Sequence, residues 1–386
     1  MKKKIAKMDL LLLFLIILYS VLGCIMIFSA SSVLTVLKQG VASNYYFIRQ
    51  CAILIISAIA AVVVTKIPFK YYKYISYLLM ILIGVSLVGL LLAGKITNGT
   101  KGWYGLGFFN FQPAEFAKSI IIVYLAFSYE DMIKKRETRA FIYFIPLFFA
   151  LIIAFLVLKQ PDLGSAIIIG VLALLIFLAV PMPKKTRLRA NLVILLVALL
   201  GGTICIIFKD KIFTGYQLSR FSFLAPCSDE KRNERLGYQV CNGYIAIKNG
   251  GLLGLGFGNS TQKYLYLPEA HTDFIFPIIV EELGLLTGIL VILGYVVILL
   301  RILKIAKTAY SASMSLVAFG TCIYLTLHIL VNLLGVLGLM PLTGVPLPFF
   351  SYGGSFALNA IVMIGITEKV AVESQNKKLR DRITNL

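Results

Sequence analysis

Long runs of apolar residues recur along the whole chain. Each has, or approaches, the roughly 20 residues that a helix needs to cross the ~30 Å hydrocarbon core of a bilayer. The ten runs cover residues 10–28, 47–65, 75–93, 114–127, 141–158, 163–180, 192–208, 274–300, 316–340 and 351–366. The fourth is short and holds Glu115 and Lys118, so its inclusion rests partly on keeping the charged segments alternating. The pattern predicts an all-α integral membrane protein with about ten transmembrane helices.

The basic residues between the runs predict the orientation. Of 37 Lys and Arg residues, 23 fall in the N-terminal, C-terminal and alternate connecting segments, 5 in the short segments on the other side, and 8 in the long segment 209–272. Short cytoplasmic segments are enriched in Lys and Arg, whereas long loops translocate largely regardless of charge. Both termini are therefore predicted to be cytoplasmic, with 209–272 as a large extracellular loop in a single membrane domain, 1–386. The first run is long enough to be a retained helix rather than a cleaved signal.

Composition excludes other classes of protein. The chain is 59% hydrophobic and only 14% charged, with a formal net charge of +20, whereas soluble chains are about a quarter charged. A soluble enzyme, a disordered chain and a nucleic-acid binder are excluded, because so few charged side chains cannot cover a water-soluble fold.

Cys227 and Cys241 share the long loop. The sequence leaves open whether they form a disulfide, and no metal-ligand spacing occurs.

Charged residues within the runs are candidates for function because they are costly in a bilayer. Glu115 and Lys118 are three residues apart on one helix face, where they either neutralise each other or line a polar, water-accessible site. Glu281 and Glu282 lie deeper in the eighth run, and a structural role is the favoured interpretation for them.

The predicted extracellular side holds most of the candidate chemistry. Trp103 lies in a glycine-rich loop, where a lone tryptophan is by default an interfacial anchor. Asp162 is placed at a helix start, where a carboxylate ordinarily caps the helix. Asp273 lies with Glu269 and His271 at the junction of the long loop and a helix, where Thr272 or Asp273 could be the N-cap.

Ordered motifs in the chain resemble one family. They are NGTKGWYGLGFFNFQPAEFAK (98–118), QPDLGSA (160–166), YQLSRF (216–221), the segment 237–284 with LPEAHTDFIF, and PLTGVPLPFFSYGGS (341–355). The series resembles the SEDS proteins, the shape, elongation, division and sporulation family that includes FtsW and RodA, and the HTDF segment is closer to FtsW of Gram-positive bacteria. Two positions depart from the family pattern: Gly102 precedes the tryptophan, and Asn242–Gly243 follows the GYQ segment.

This resemblance implies ten membrane helices, a large extracellular loop between the seventh and eighth, and a peptidoglycan glycosyltransferase in the bacterial plasma membrane. Its substrate would be lipid II, polymerised with inversion and release of a polyprenyl diphosphate. Such a displacement needs a base and a group that stabilises the departing diphosphate. Asp273 is the predicted base, from its position and by carry-over from the family motif.

The remaining site residues follow from the same resemblance and chemistry. Trp103, Glu115 and Asp162 are expected to bind substrate or shape the cavity. Arg220, Lys118 and Arg49 are candidates for stabilising the diphosphate, and a divalent cation, Mg or Mn, could replace or assist them. The expected partners are a class B penicillin-binding protein, which is a transpeptidase, and other membrane proteins of the division or elongation complex.

Two other classes of protein remain open at this point. A flippase for lipid-linked precursors also requires polar residues in helices and a broken helix. A non-catalytic scaffold of the division complex would leave Asp273 dispensable. The absence of a matching inner cluster of polar residues in the sequence favours the enzyme.

We expect single cysteines placed in 209–272, in a background lacking Cys227 and Cys241, to react with a membrane-impermeant thiol reagent in intact cells. The reason is that the short segments on this side of the membrane hold far fewer Lys and Arg residues than the segments on the other side. Cysteines that stay unlabelled until the cells are lysed would show that the predicted orientation is inverted.

Overall fold

Each apolar run overlaps one helix of the protein. The computed structural model describes residues 8–93, 102–105, 110–207, 226–228, 235–264 and 266–384. In chain order its helices are α1 (Leu10–Gln39), α2 (Tyr45–Lys66), α3 (Tyr72–Ala93), α4 (Pro113–Lys134), α5 (Ala140–Leu158), α6 (Leu163–Ala179), α7 (Lys184–Ile207), α8 (Arg235–Gly250), α9 (Ile275–Thr308), α10 (Ala312–Val336) and α11 (Gly354–Thr384). A 3-10 turn, Phe69–Tyr71, precedes α3, and two short strands, β1 (Tyr104–Gly105) and β2 (Asn110–Phe111), pair antiparallel.

Seven helices in the described part are long and apolar enough to cross a bilayer: α1, α2, α3, α5, α9, α10 and α11. The apolar helix α6 has 17 residues, which corresponds to roughly 25 Å. The predicted all-α membrane class is confirmed. The count of ten crossings and the cytoplasmic placement of the termini stay predictions.

The apolar runs misplace several helix boundaries: α1, α4 and α9 continue 7–11 residues beyond their runs, and α7 begins 8 residues before its run. The run 316–340 predicts a helix to residue 340, but α10 ends at Val336, since Gly338 adopts a φ of +60° and Pro341 follows. The run 351–366 predicts a short last helix, but α11 begins at Gly354 and continues to Thr384. Its second half is polar, so hydropathy detects only the membrane part.

Parts of the predicted loops are ordered in ways that hydropathy does not reveal. The hairpin β1–β2 lies in the loop that carries Trp103. The segment 209–272 contains α8, which packs against α9. A disulfide joins Cys227 to Cys241 and so connects residues 226–228 to α8.

Helix α4 lies at the centre of the bundle. It packs against α3, α5, α6, α10 and α11, and nearly all of its side chains from Ala114 to Glu130 are buried. Because protein rather than lipid surrounds it, α4 can contain Glu115 and Lys118, provided that each finds a partner inside the protein.

Helix α9 is broken at Gly284, whose φ of 85° and ψ of 163° are not helical. The glycine-rich segment after α8 satisfies the backbone groups that the break frees. The amides of 255–256 donate to the carbonyls of 281–282, and the amides of 285–286 donate to the carbonyls of 251–252. Irregular backbone at membrane depth is tolerated when protein supplies its hydrogen bonds.

Glu281 and Glu282 attach the same segment to α9, and both are fully buried. Glu281 accepts hydrogen bonds from residues 249 and 260–262. Glu282 pairs with the Lys263 ammonium at 3.0 Å and accepts a hydrogen bond from the Ser29 hydroxyl at 2.6 Å. These contacts support the structural role that the sequence favours for the two glutamates.

We expect Gly284→Ala to destabilise the protein by at least ~2 kcal/mol. A Cβ at Gly284 would lie 2.3 Å from the Leu252 carbonyl oxygen, at a φ that non-glycine residues rarely adopt. The measurement is the thermal midpoint of the detergent-solubilised protein. Gly170→Ala in α6 is the control, because nothing lies within 4 Å of its Cβ position; equal stability of the two variants would refute the close packing at Gly284.

Candidate active site

Several loops meet at one end of the bundle, the end where α2, α4, α6, α9 and α11 begin, and we call it the outer end. The Tyr352 amide donates to the His271 carbonyl at 2.9 Å, which joins the loop before α11 to the loop before α9. The Gln112 amide donates to the Ser355 hydroxyl at 3.0 Å, which joins the starts of α4 and α11. The candidate residues are therefore presented from different helices to one region.

Asp273 lies at this end, immediately before α9, and it is 8% exposed. The side-chain amide of Asn332 donates to the carbonyl of Asp273 at 2.7 Å and to that of Val345 at 2.8 Å. Gly344 in the same loop passes close by, since a Cβ there would lie 3.8 Å from Asp273 Oδ2. The backbone of Asp273 is thus attached to the loop between α10 and α11.

Neither Asp273 nor Thr272 caps α9. The N-cap residue of α9 is Phe274, and no side chain among the described residues caps this helix. The Thr272 hydroxyl instead lies between two carboxylates, 3.0 Å from Asp273 Oδ1 and 2.9 Å from Glu269 Oε2. A hydroxyl has one proton to donate, so it serves only one carboxylate at a time. The capping explanation for Asp273 is therefore wrong.

An aromatic group lies beside this segment. The His271 ring packs against Tyr46, with ring centroids 4.4 Å apart, and against Tyr352 at 5.8 Å. The Arg49 guanidinium lies over the Tyr45 ring at 4.4 Å and interacts with Tyr352. Burial lowers the pKa of His271 to about 4, partly opposed by Glu269, so this imidazole is neutral at pH 7.

Asp162 does cap its helix, as the residue pattern suggests. Its Oδ1 accepts from the Ser165 amide at 3.0 Å, while Oδ2 accepts from the Gln112 side chain at 3.1 Å. Gly164 of the same turn packs against Thr343, since a Cβ there would lie 3.0 Å from the threonine side chain. The carboxylate therefore connects α6 to the start of α4, close to the loop that passes Asp273.

Trp103 is partly buried next to the hairpin β1–β2. The hydroxyl of the neighbouring Tyr104 donates to the Ser86 carbonyl on α3, and the Ser355 hydroxyl donates to the Asn110 carbonyl. The hairpin that follows Trp103 is therefore anchored to α3 and α11 at the outer end.

Glu115 and Lys118 form the ion pair that their spacing predicts, at 2.6 Å. Lys118 exposes none of its surface, and its ammonium also lies 3.1 Å from His328 Nε2. An ammonium only donates hydrogen bonds, so Nε2 of His328 must be an acceptor and the imidazole is neutral. Glu115 Oε2 has no hydrogen-bond partner among the described residues. The pair thus belongs to a buried network rather than to an open, water-accessible cavity.

Helix α10 connects this network to Asp273. His328 and Asn332 are four residues apart on one face of α10, and they contact Lys118 and the Asp273 carbonyl respectively. Four residues correspond to about 6 Å along a helix. The buried ion pair is therefore about one helical turn deeper than Asp273.

The structure brings most of the predicted residues into this region. Asp273, Asp162, Trp103 and Arg49 lie at the outer end, with Glu115 and Lys118 beneath it, whereas Arg220 falls outside the described residues. Sequence reasoning missed Thr272 as a contact of two carboxylates and Asn332 as the link between two loops. The only available signal was four-residue spacing of His328 and Asn332 in an apolar run.

The oxygen atoms of Asp273 and Glu269 are of the kind that Mg²⁺ prefers, and such sites often combine one or two carboxylates with substrate phosphates. Across the described ranges, no group of three or more His, Cys, Asp or Glu residues is arranged to hold a metal. The two carboxylates would fit a cation only if the phosphates supplied further ligands.

Comparison with known proteins gives a consistent result. The family model FTSW_RODA_SPOVE, described as a cell cycle protein, matches residues 9–376. The probable peptidoglycan glycosyltransferase FtsW of Bacillus subtilis (strain 168) is 36% identical over 389 residues, covering 99% of this chain and 95% of that protein.

Solved structures share the fold. A chain from a structure described as the structural coordination of polymerization and crosslinking by a peptidoglycan synthase complex matches with a TM-score of 0.74 and 24% identity, covering 95% of this chain and 98% of that one. The rod shape determining protein RodA of Thermus thermophilus matches with a TM-score of 0.65 and 24% identity, covering 94% of this chain and 96% of that one.

We expect Lys118→Ala to reduce stability strongly, because it leaves the buried Glu115 without its counter-ion, a change that typically costs about 3–5 kcal/mol. The double variant Lys118→Ala/Glu115→Gln also removes the unpaired negative charge of residue 115. It should recover membrane abundance without recovering glycan synthesis. Lys118→Arg, which keeps the charge, is the control for activity. Full glycan synthesis by the double variant would show that the Glu115–Lys118 pair has only a structural role.

Proposed function

Because the chain belongs to the FtsW, RodA and SpoVE family, we propose that this peptidoglycan glycosyltransferase polymerises lipid II into glycan strands, with Asp273 as the general base. The observation that carries the assignment is the position of Asp273 at the outer end. Its carboxylate does not cap α9, and its backbone is attached to the loop between α10 and α11. A carboxylate placed at this end can accept the proton of a substrate hydroxyl.

The reaction needs one proton acceptor. The 4-hydroxyl of an acceptor sugar gives its proton to the Asp273 carboxylate as its oxygen forms a bond to the anomeric carbon of the donor. The bond from that carbon to the diphosphate oxygen breaks, and the polyprenyl diphosphate leaves with the electron pair. Attack from the opposite face converts the α-linked donor into a β-1,4 bond.

Positive charge at the outer end would stabilise the departing diphosphate. Arg49 is the best placed cation, since it lies beside Tyr352 at the rim of the site, and a guanidinium suits forked contacts to phosphate. Lys118 contributes as a buried charge, and Arg220 is retained from the family motif. Trp103, Glu115 and Asp162 are assigned to substrate binding or to shaping the site, and a divalent cation would assist only through substrate phosphates.

A crosslinking partner completes the proposal. The matched chain of the synthase complex comes from an assembly that coordinates polymerization and crosslinking. We assign this multi-pass membrane protein a class B penicillin-binding protein as partner, together with other membrane proteins of the division or elongation complex, in the bacterial plasma membrane.

Asp273→Asn should lower lipid II polymerisation by about 10²-fold or more, as the loss of a general base typically does. Asparagine keeps the size of the side chain but does not accept the proton. The measurement is the yield of glycan strands made by the purified protein with its class B penicillin-binding protein and lipid II, corrected for membrane abundance.

Two further variants make this test specific. Asp131→Asn, which removes the half-exposed partner of Lys73 at the other end of the bundle, is the matched control and should keep its activity. Glu269→Gln tests the second carboxylate that contacts Thr272. If a well-expressed Asp273→Asn protein still made long strands, Asp273 would not be the base. If only Glu269→Gln lost activity, Glu269 would be the base instead.

The wild-type protein tests the two other classes. Precursor transport without polymerisation would favour a flippase, and the absence of both activities would favour a scaffold.

A further inference from the structure

A pocket of about 310 Å³ lies at the opposite end of the bundle from Asp273. It is formed where α1 begins, where α9 ends and along the second half of α11. Its lining includes Asp9, Arg301, Lys304, Ile305, Ala371 and Lys378. The volume is at the lower end of the range for small-ligand pockets, roughly 300–1,000 Å³.

The pocket lies where three apolar helix segments give way to polar residues. Lipid-facing residues just inside this level are strongly exposed, with Leu10 at 71% and Leu300 at 58%. Asp9 directly precedes Leu10 at the start of α1, and Arg301 directly follows Leu300 in the last part of α9. This change from apolar to polar residues indicates that the pocket lies near the boundary between hydrocarbon and headgroups.

Positive charge predominates in the lining, where Arg301, Lys304 and Lys378 face one carboxylate, Asp9. The Asp9 carboxylate is already engaged, because Arg301 pairs with it at 2.6 Å and the Leu12 amide donates to it at 3.1 Å. A second carboxylate, Glu368, lies beneath the pocket and accepts a hydrogen bond from the Asp9 amide at 2.8 Å. The cations still exceed the carboxylates.

Two of the cations keep donors for a ligand. Lys304 is exposed and makes no ion pair with any residue that the structure describes. The Lys378 ammonium donates to the Thr308 carbonyl at 2.7 Å, which uses one of its three N–H groups. The floor beneath them is apolar, with Ile305 and Ala371 buried.

We propose that this pocket binds the phosphodiester headgroup of an anionic phospholipid, such as phosphatidylglycerol, from the adjoining leaflet. Basic pockets between helices at the membrane surface attract anionic headgroups, and the exposed leucines below the rim fit the start of the acyl chains. The bound lipid bridges α1, α9 and α11. It therefore stabilises the packing of these three helices, whose opposite ends all lie at the outer end.

The test uses the full-length protein in a neutral detergent, with its thermal midpoint measured against added phosphatidylglycerol, phosphatidylcholine or inorganic phosphate. We expect a saturable rise with phosphatidylglycerol alone. A lysine near the surface contributes roughly a fivefold change in affinity for anionic lipid. Lys304→Gln/Lys378→Gln should therefore raise the half-saturating concentration about 25-fold.

Lys184→Gln/Lys185→Gln is the matched control, because these two lysines are exposed, precede the apolar part of α7 and do not line the pocket. An equal rise with inorganic phosphate would identify a free-anion site and overturn the lipid assignment. An equal rise with phosphatidylcholine, or an equal loss in the control variant, would overturn the pocket as the binding site. Because the readout is stability, the result is independent of whether Asp273 is the base.

Discussion

A polar group removed from water must find its partner inside the protein, and this constraint organises the whole bundle. Helix α4 can carry an ammonium and a carboxylate at its centre only because neighbouring helices enclose it. Lys118 exposes no surface, and its charge is balanced by Glu115 and contacted by His328. Removing any member would leave a buried polar group unsatisfied, at a cost of about 1–3 kcal/mol or more.

The same constraint explains how the outer loops can be irregular and still well placed. The break in α9 at Gly284 would expose four backbone groups, but the glycine-rich segment after α8 pairs with them. Glycine is required because a Cβ at Gly250 or Gly254 would lie 2.1–2.3 Å from a carbonyl of α9. Backbone pairing at this distance fixes the first part of α9, and hence the loop that carries Asp273, relative to α8.

Much of the fold could be predicted from the sequence because hydropathy directly reports the membrane. Every apolar run corresponds to a helix, and the Glu115–Lys118 pair follows from spacing alone. The failures have physical causes. Hydropathy does not detect α8 or the polar half of α11, because both lie outside the apolar runs.

The candidate site could be predicted only in part, for a related reason. The carboxylates are visible in the sequence, but their contacts depend on which loops meet. The capping interpretation was right for Asp162 and wrong for Asp273, although both precede an apolar helix. Local pattern could not separate them, because Asp162 is itself the N-cap of α6 whereas α9 begins one residue later, after Phe274.

One face of α10 links the buried ion pair to Asp273. His328 and Asn332 lie on one face of α10, and one contacts the buried ammonium while the other contacts the Asp273 carbonyl. The Asn332 side chain uses both of its N–H donors on two different loops, each at less than 3 Å. A shift of α10 along its axis would therefore break contacts at the ion pair and at Asp273 together. The buried Glu115–Lys118 pair and the proposed base are therefore held at a fixed separation. Catalysis by preorganised charges requires such a fixed arrangement.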